Sequence, residues 1–153
     1  MRGLKNIRLR DYDYRSNGYY FVTVVADYRR KYFLGKSQLI EEVLKDLAKS
    51  IPGLELDYYV VMPNHVHVIF ILRQCNLVLG KIVRRFKAKV SFRMGIKIWQ
   101  PNYYEHVIRN DRVLNKIREY IIHNPDVEKI DFESFYENAS QKKADKSANY
   151  KNL

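Results

Sequence analysis

The stretch VVMPNHVHVIF, residues 60–70, sets His65 and His67 two positions apart in an apolar run. Side chains alternate along a strand, so the two imidazoles share a face, about 7 Å apart along the strand axis. Val66, Val68 and Phe70 take the other face, and Ile69 and Ile71 continue the histidine face. Both faces of this strand are therefore expected to be covered, with the histidines at its end beside a turn. Two readings stand. The pair consists of satisfied polar residues at a strand end, or two neutral imidazoles share one divalent ion. Two ligands do not complete a metal site, so the second reading requires a third from elsewhere in the chain.

The segment REYIIHNP, 118–125, offers one. Tyr120 and Asn124 are four apart and share a helix face. Val113 and Ile117 lie seven and three positions before Tyr120, so that face packs inward. A phenol is a potential nucleophile and a carboxamide oxygen a potential ligand. The plainer alternative is a core tyrosine and an ordinary asparagine at a helix end before Pro125. His123 is a rival ligand at a poorer angle. Tyr103 and Tyr104 are rival nucleophiles by residue type only.

The elements that must position these residues follow from patterning. Residues 18–26 (GYYFVTVVA) are rich in β-branched and aromatic types and read as a strand. Residues 36–50 carry Leu39, Ile40, Val43, Leu44 and Leu47 at helical spacing, with Ser37 as a candidate cap and Pro52-Gly53 as the stop. Residues 54–62 and 65–72 form a hairpin across Pro63-Asn64. Residues 76–94 form a second helix, 96–109 an extended segment interrupted by Pro101, and 110–124 a third helix, capped by Asn110 or Asp111 and stopped by Pro125. The order β-α-β-β-α-β-α predicts an α+β, ferredoxin-like antiparallel sheet with an added C-terminal helix carrying the tyrosine. A single domain over 1–130 is expected, followed by a polar tail over 131–153.

Charge narrows the partner. The chain of 153 residues has a formal net charge of +11, which points to an anion, nucleic acid first and an acidic membrane second. Residues 76–99 hold seven Lys/Arg and no acid. On the second helix Lys81, Arg84, Arg85 and Lys89 lie opposite the apolar stripe, with Phe92 toward the same side, where it could stack on a base. A solvated basic surface is the alternative. The N-terminal cluster with Arg8 and Arg10 is the other basic segment. Cys75 is the only cysteine, which excludes a disulfide framework and a Cys-based zinc site. No apolar run follows Met1 or approaches membrane-spanning length, so a cytoplasmic, nucleoid-associated protein without membrane contact is expected.

The His-hydrophobe-His element and the later YIIHN helix together resemble the HUH single-strand DNA endonucleases. Within these, VVMPNHVHVIF, WQPNYYEHVIR, REYIIHNP and the start RLRDYDYRSNGYYFVTV resemble, in order and spacing, the Y1 (IS200/IS605-like) transposases of the REP-associated tyrosine transposase branch. The likeness spans about residues 8 to 126. It implies a ferredoxin-like fold, His65 and His67 as metal ligands, and Tyr120 as nucleophile. In IS200/IS605 relatives a glutamine one turn after the tyrosine completes the metal site. Asn124 stands there in this chain, as in the REP-associated branch. The cofactor implied is Mg²⁺ or Mn²⁺, and the substrate single-stranded or hairpin DNA, cut and rejoined through a 5′-phosphotyrosine. Relatives of the IS200/IS605 type pair their sites across a homodimer, which leaves open whether Tyr120 serves its own histidines or a partner's. His106 also matches the pattern without an assigned role, and packing is its plainer reading. A different class, a non-catalytic nucleic-acid-binding ferredoxin-like domain, is the competing reading. A relaxase-type nickase fits less well, since such chains are larger.

Overall fold

A computed structural model describes residues 17–137. Arg8 and Arg10 lie outside the described residues, as does the chain from 138 onward. The elements are β1 (Gly18–Val25), α1 (Ser37–Ser50), β2 (Leu54–Met62), β3 (His65–Leu72), α2 (Leu79–Met94), β4 (Tyr104–Ile108) and α3 (Asp111–His123). Single 3-10 turns lie at Asp27–Arg29 and Phe132–Phe135. The sheet runs β2-β3-β1-β4, and every neighbouring pair is antiparallel. β1 and β2 are thus parallel strands with β3 between them, the split β-α-β arrangement expected from the element order.

Alternation along β1 and β3 divides the apolar side chains between two layers. Tyr20, Val22 and Val24 of β1 and Val66, Val68 and Phe70 of β3 are buried with Ile40, Val43, Leu44 and Leu47 of α1 and Ile82, Val83, Phe86 and Val90 of α2. Phe21 and Ile69 face the other side and are buried with Val113, Leu114, Ile117 and Ile121 of α3. Every residue of β3 is buried, which is why its sequence reads as a continuous apolar run. α1 and α2 therefore cover one face, and α3 covers the face that carries His65 and His67.

The hairpin of β2 and β3 keeps the expected bounds, with one irregularity in register between Leu56 and Tyr58. Gly53, before it, has φ +87°, and a Cβ there would stand 2.5 Å from the Arg73 carbonyl oxygen, so only glycine fits. Asn110 caps α3, its Oδ1 accepting from Val113 N at 2.8 Å. Ser37 does not cap α1. It is the first helical residue, and Lys36 takes the cap position without a side-chain bond.

Three boundaries differ from the sequence reading. α2 begins at Leu79 rather than 76. Of the extended segment 96–109 only Tyr104–Ile108 joins the sheet, because Asn102 after Pro101 takes φ +68° and breaks the ladder. Trp99 makes only an isolated bridge to Ala26 and packs instead, its ring 4.9 Å from Phe33 and 5.5 Å from Phe86. Residues 131–137, placed in the polar tail from sequence, turn back onto the domain. Phe132, Phe135 and Tyr136 pack against the α3 layer, since three aromatics in six residues supply the apolar area that the following polar stretch lacks.

Candidate active site

The register sets His67 between Thr23 of β1 and Val60 of β2, and His65 between Val25 and Met62. Both rings are buried, with centroids 4.7 Å apart. Their Nε2 atoms converge on one point: the Pro125 carbonyl oxygen lies 2.9 Å from His65 Nε2 and 3.0 Å from His67 Nε2. Their Nδ1 atoms are held from behind. Thr23 Oγ1 is 2.7 Å from His67 Nδ1, and Asn64 Oδ1 is 2.7 Å from His65 Nδ1. Phe21 stacks on His67 at 5.4 Å and fixes its plane.

Burial pulls the His65 pKa below the usual imidazole range, against a smaller upward pull from the Pro125 carbonyl. Burial, with the neighbouring His65, brings His67 to about 4. Both rings are neutral at pH 7, the state a metal ligand requires. A neutral imidazole has one N–H, yet both partners of His65, Asn64 Oδ1 and Pro125 O, are acceptors. One of these contacts sets a lone pair against an oxygen. A divalent cation held by both Nε2 lone pairs would leave each Nδ1–H directed at its outer partner, Thr23 Oγ1 or Asn64 Oδ1. The donor set of the two histidines thus fits a metal ion. Among the described residues no group of three or more His, Cys, Asp or Glu forms an alternative metal cluster.

α3 supplies the other two expected groups. Val113 and Ile117 are buried and Tyr120 is half-buried on the same layer as the histidines, its ring edge-on to Phe135 at 5.5 Å. Asn124 is the C-cap of α3, and its Nδ2 donates to Tyr120 O at 3.3 Å. Its amide nitrogen is thereby folded back on its own helix, and the backbone carbonyl of Pro125 meets the histidines instead. An ion pair ties α3 to the sheet edge: Arg118 donates from Nε to Asp57 Oδ2 at 2.8 Å and from a terminal nitrogen to Asp57 Oδ1. Asp57 lies at the register irregularity of β2, which supplies the bend that aims this carboxylate.

The remaining candidates separate by face. Tyr104 pairs with Thr23 and so shares the histidine face, two strands from His67, and burial raises its phenol pKa. Tyr103 belongs to the α1/α2 core. Glu105 is buried opposite Val22, also away from the histidines. His106 stacks flat on Phe132 at 4.2 Å, and its Nε2 is 2.8 Å from the Tyr136 hydroxyl. Burial and the nearby Arg109 bring its pKa to about 4. His106 is thus a docking post for residues 132–136, in keeping with a packing role.

Lys81, Arg84, Arg85 and Lys89 are exposed on α2, and Phe92 is 87 % exposed. Because α2 covers the opposite side of the sheet, the fold does not bring this basic face beside the histidines. Phe92 and Lys89 border a cleft of about 280 Å³ between α1 and α2 with Val43, Asp46, Ala88 and Arg93. Thr23, Asn64 and the Pro125 carbonyl were not visible as site groups in the sequence. Only strand register and the turn after α3 bring them to the histidines. No helix of the described residues is long and apolar enough to cross a membrane.

Comparison with known proteins identifies the family. Residues 14–124 match the family model of IS200-like transposases. An uncharacterised protein of Haemophilus influenzae is 34% identical, over 79% of this chain and 87% of its own length. A REP-associated tyrosine transposase of Escherichia coli K12 is 31% identical, over 73% of this chain and 68% of its own. Among solved structures, a REP-associated tyrosine transposase bound to a REP hairpin superposes with a TM-score of 0.67 at 28% identity, covering 77% of this chain and 72% of that one. The chain therefore belongs to the IS200-like transposase family, whose members are enzymes that act on DNA.

Proposed function

We propose that this chain cuts and rejoins single-stranded, hairpin-bearing DNA with a divalent metal, through a covalent bond to Tyr120. The observation that carries the reading is the convergence of His65 Nε2 and His67 Nε2 on one oxygen, with both Nδ1 atoms engaged from behind. His65 and His67 would hold Mg²⁺ or Mn²⁺, with oxygen ligands drawn from the Pro125 carbonyl or the Asn124 amide. When bound, the ion would supply Lewis-acid polarisation of a phosphate oxygen.

The rest of the chemistry falls to the chain. Tyr120 Oη attacks the phosphorus, its proton passes to solvent, and the bond to the 3′ oxygen breaks. The 5′ phosphate stays esterified to Tyr120 and the leaving strand ends in a 3′-OH. Attack by a 3′-OH on that ester reverses the step and joins strands without another energy source. Burial of His65 and His67 keeps them neutral, so they act as ligands rather than as general acids at pH 7. Lys81, Arg84, Arg85 and Lys89 would hold backbone phosphates of the DNA stem, with Phe92 against a base and the N-terminal Arg8 and Arg10 adding charge. A REP-type hairpin, the DNA bound by the solved relative, is the first substrate to try.

The folded-back amide of Asn124 favours a second reading, a DNA-binding domain that does not cleave. Labelled hairpin DNA incubated with Mn²⁺ separates the two. A denaturing gel shows a metal-dependent protein–DNA adduct, absent in Tyr120→Phe and His65→Ala, if the catalytic reading is right. Binding without adduct in every metal leaves the second.

A further inference from the structure

Between β1 and α1 the chain reads DYRRKYFLGK, residues 27–36, with Arg29, Arg30, Lys31 and Lys36 against the single acid Asp27. Its location is set by backbone bonds. Ala26 N donates to Asn64 O at 2.9 Å and Phe33 N to Pro63 O at 2.9 Å, so the segment is latched to the turn that carries His65. Arg29 Nε donates to Glu128 Oε1 at 2.9 Å, three residues beyond the carbonyl that meets both histidines. Farther along, Phe33 is buried against Trp99, which packs on Phe86 of α2. The segment therefore runs from the histidine end of the sheet to the layer bearing the basic helix.

Its backbone is unusual. Tyr28 and Arg29 take φ +54° and +53° in succession, a conformation that costs a bulky side chain energy and persists where the surroundings impose it. The Tyr28 ring gains no burial in return. It is 68% exposed, with the Arg30 guanidinium 5.9 Å over its centroid. A strained turn that holds an aromatic ring outward, beside three consecutive cations, is suited to an unpaired strand: bases stack on the ring and phosphates meet the cations.

We infer that residues 28–31 form the contact for the unpaired DNA strand beside the scissile phosphate, with Tyr28 stacking on a base and Arg30 and Lys31 on its phosphates. Arg29 is the link to the reaction centre. A phosphate that takes Arg29 from Glu128 frees the segment carrying the Pro125 carbonyl. The inference rests on the histidine pair being the place where the strand is cut, and it supplies the path that the position of α2 leaves missing.

The test is binding without cleavage, by fluorescence anisotropy in EDTA, with a labelled dT12 strand and a blunt hairpin of similar charge. Asparagine tolerates the left-handed conformation, so Tyr28→Asn removes the ring and keeps the turn. It should weaken dT12 binding about tenfold and hairpin binding less than twofold, while Tyr28→Phe binds dT12 as the native chain does. Arg30→Gln with Lys31→Gln should lower the salt slope for dT12 by about 1.4. Unchanged dT12 binding by Tyr28→Asn, or an equal loss on both probes, overturns the inference. Adduct formation is read separately. An adduct together with unchanged dT12 binding by Tyr28→Asn refutes the loop alone, and a selective loss without any adduct supports the loop while refuting the catalytic reading.

Discussion

Acid should loosen the α3 layer through His106. This imidazole is half-buried between Phe132, Tyr136 and Arg109, and burial with the Arg109 charge brings its pKa from 6.5 to about 4. The unfolded chain binds the proton first as pH falls, so stability declines from about pH 6.5 downward until the folded pKa is passed. Between pH 7.5 and pH 5 the shift corresponds to about 2 kcal/mol. Solvent screening at a partly exposed ring reduces that to about 1–2 kcal/mol. His106→Phe preserves the stack on Phe132 and removes the proton. Arg109 N and the Val107 carbonyl still engage the Tyr136 hydroxyl in that variant. Urea unfolding at the two pH values should show a stability loss smaller in His106→Phe by that 1–2 kcal/mol. An identical pH dependence in the two proteins would refute the assignment of His106 as a buried neutral post for the 132–136 segment.

Breaking the tie of α3 to the sheet should cost stability as well: the Asp57 side chain is 11% exposed in the intact pair, so Arg118→Gln, which takes away its guanidinium, should lower stability by about 1–2 kcal/mol, read as a fall of a few degrees in Tm by calorimetry, and an unchanged Tm would dismiss the pair as a positioning device. Replacing Lys81, Arg84, Arg85 and Lys89 together by Gln should reduce the salt slope of hairpin binding by about 3–4 with little change in Tm, since all four are exposed. A slope that does not move would remove α2 from the DNA interface.

Much of the fold was legible because its signals are local. The helical spacing of Ile40, Val43, Leu44 and Leu47, the turn at Pro63-Asn64 and the asparagine cap of α3 each depend on a few neighbours. The β2–β3 hairpin accordingly has its expected bounds. Residues 96–103 were misread as strand because Ile96, Ile98 and Trp99 have the composition of one, whereas Ile96 is exposed and Trp99 packs on Phe33 and Phe86, residues brought to it only by the tertiary fold. The first turn of the tail was misread for the converse reason: Phe132, Phe135 and Tyr136 were outweighed by the polar stretch that follows.

The site shows the same division. Two histidines on one strand face and a tyrosine on an inward helix face follow from periodicity alone. That His65 and His67 should meet the carbonyl of Pro125, that Thr23 and Asn64 should hold their other nitrogens, and that α2 should lie on the opposite layer depend on strand order. Lys81, Arg84, Arg85 and Lys89 were correctly placed as one exposed face of a helix. Their distance from the histidines could not be read before the sheet order β2-β3-β1-β4 was known.

The most direct test of the account is whether Tyr120 becomes attached to DNA. Intact protein is incubated with a 5′- or 3′-labelled REP-type hairpin carrying unpaired flanks, with Mn²⁺ or with EDTA, then digested and analysed by mass spectrometry. The assignment of Tyr120 as nucleophile predicts a phosphonucleotide on the peptide containing it, formed only with metal and lost in His67→Ala. Cleavage that leaves Tyr120 unmodified, or that persists in Tyr120→Phe, would contradict it.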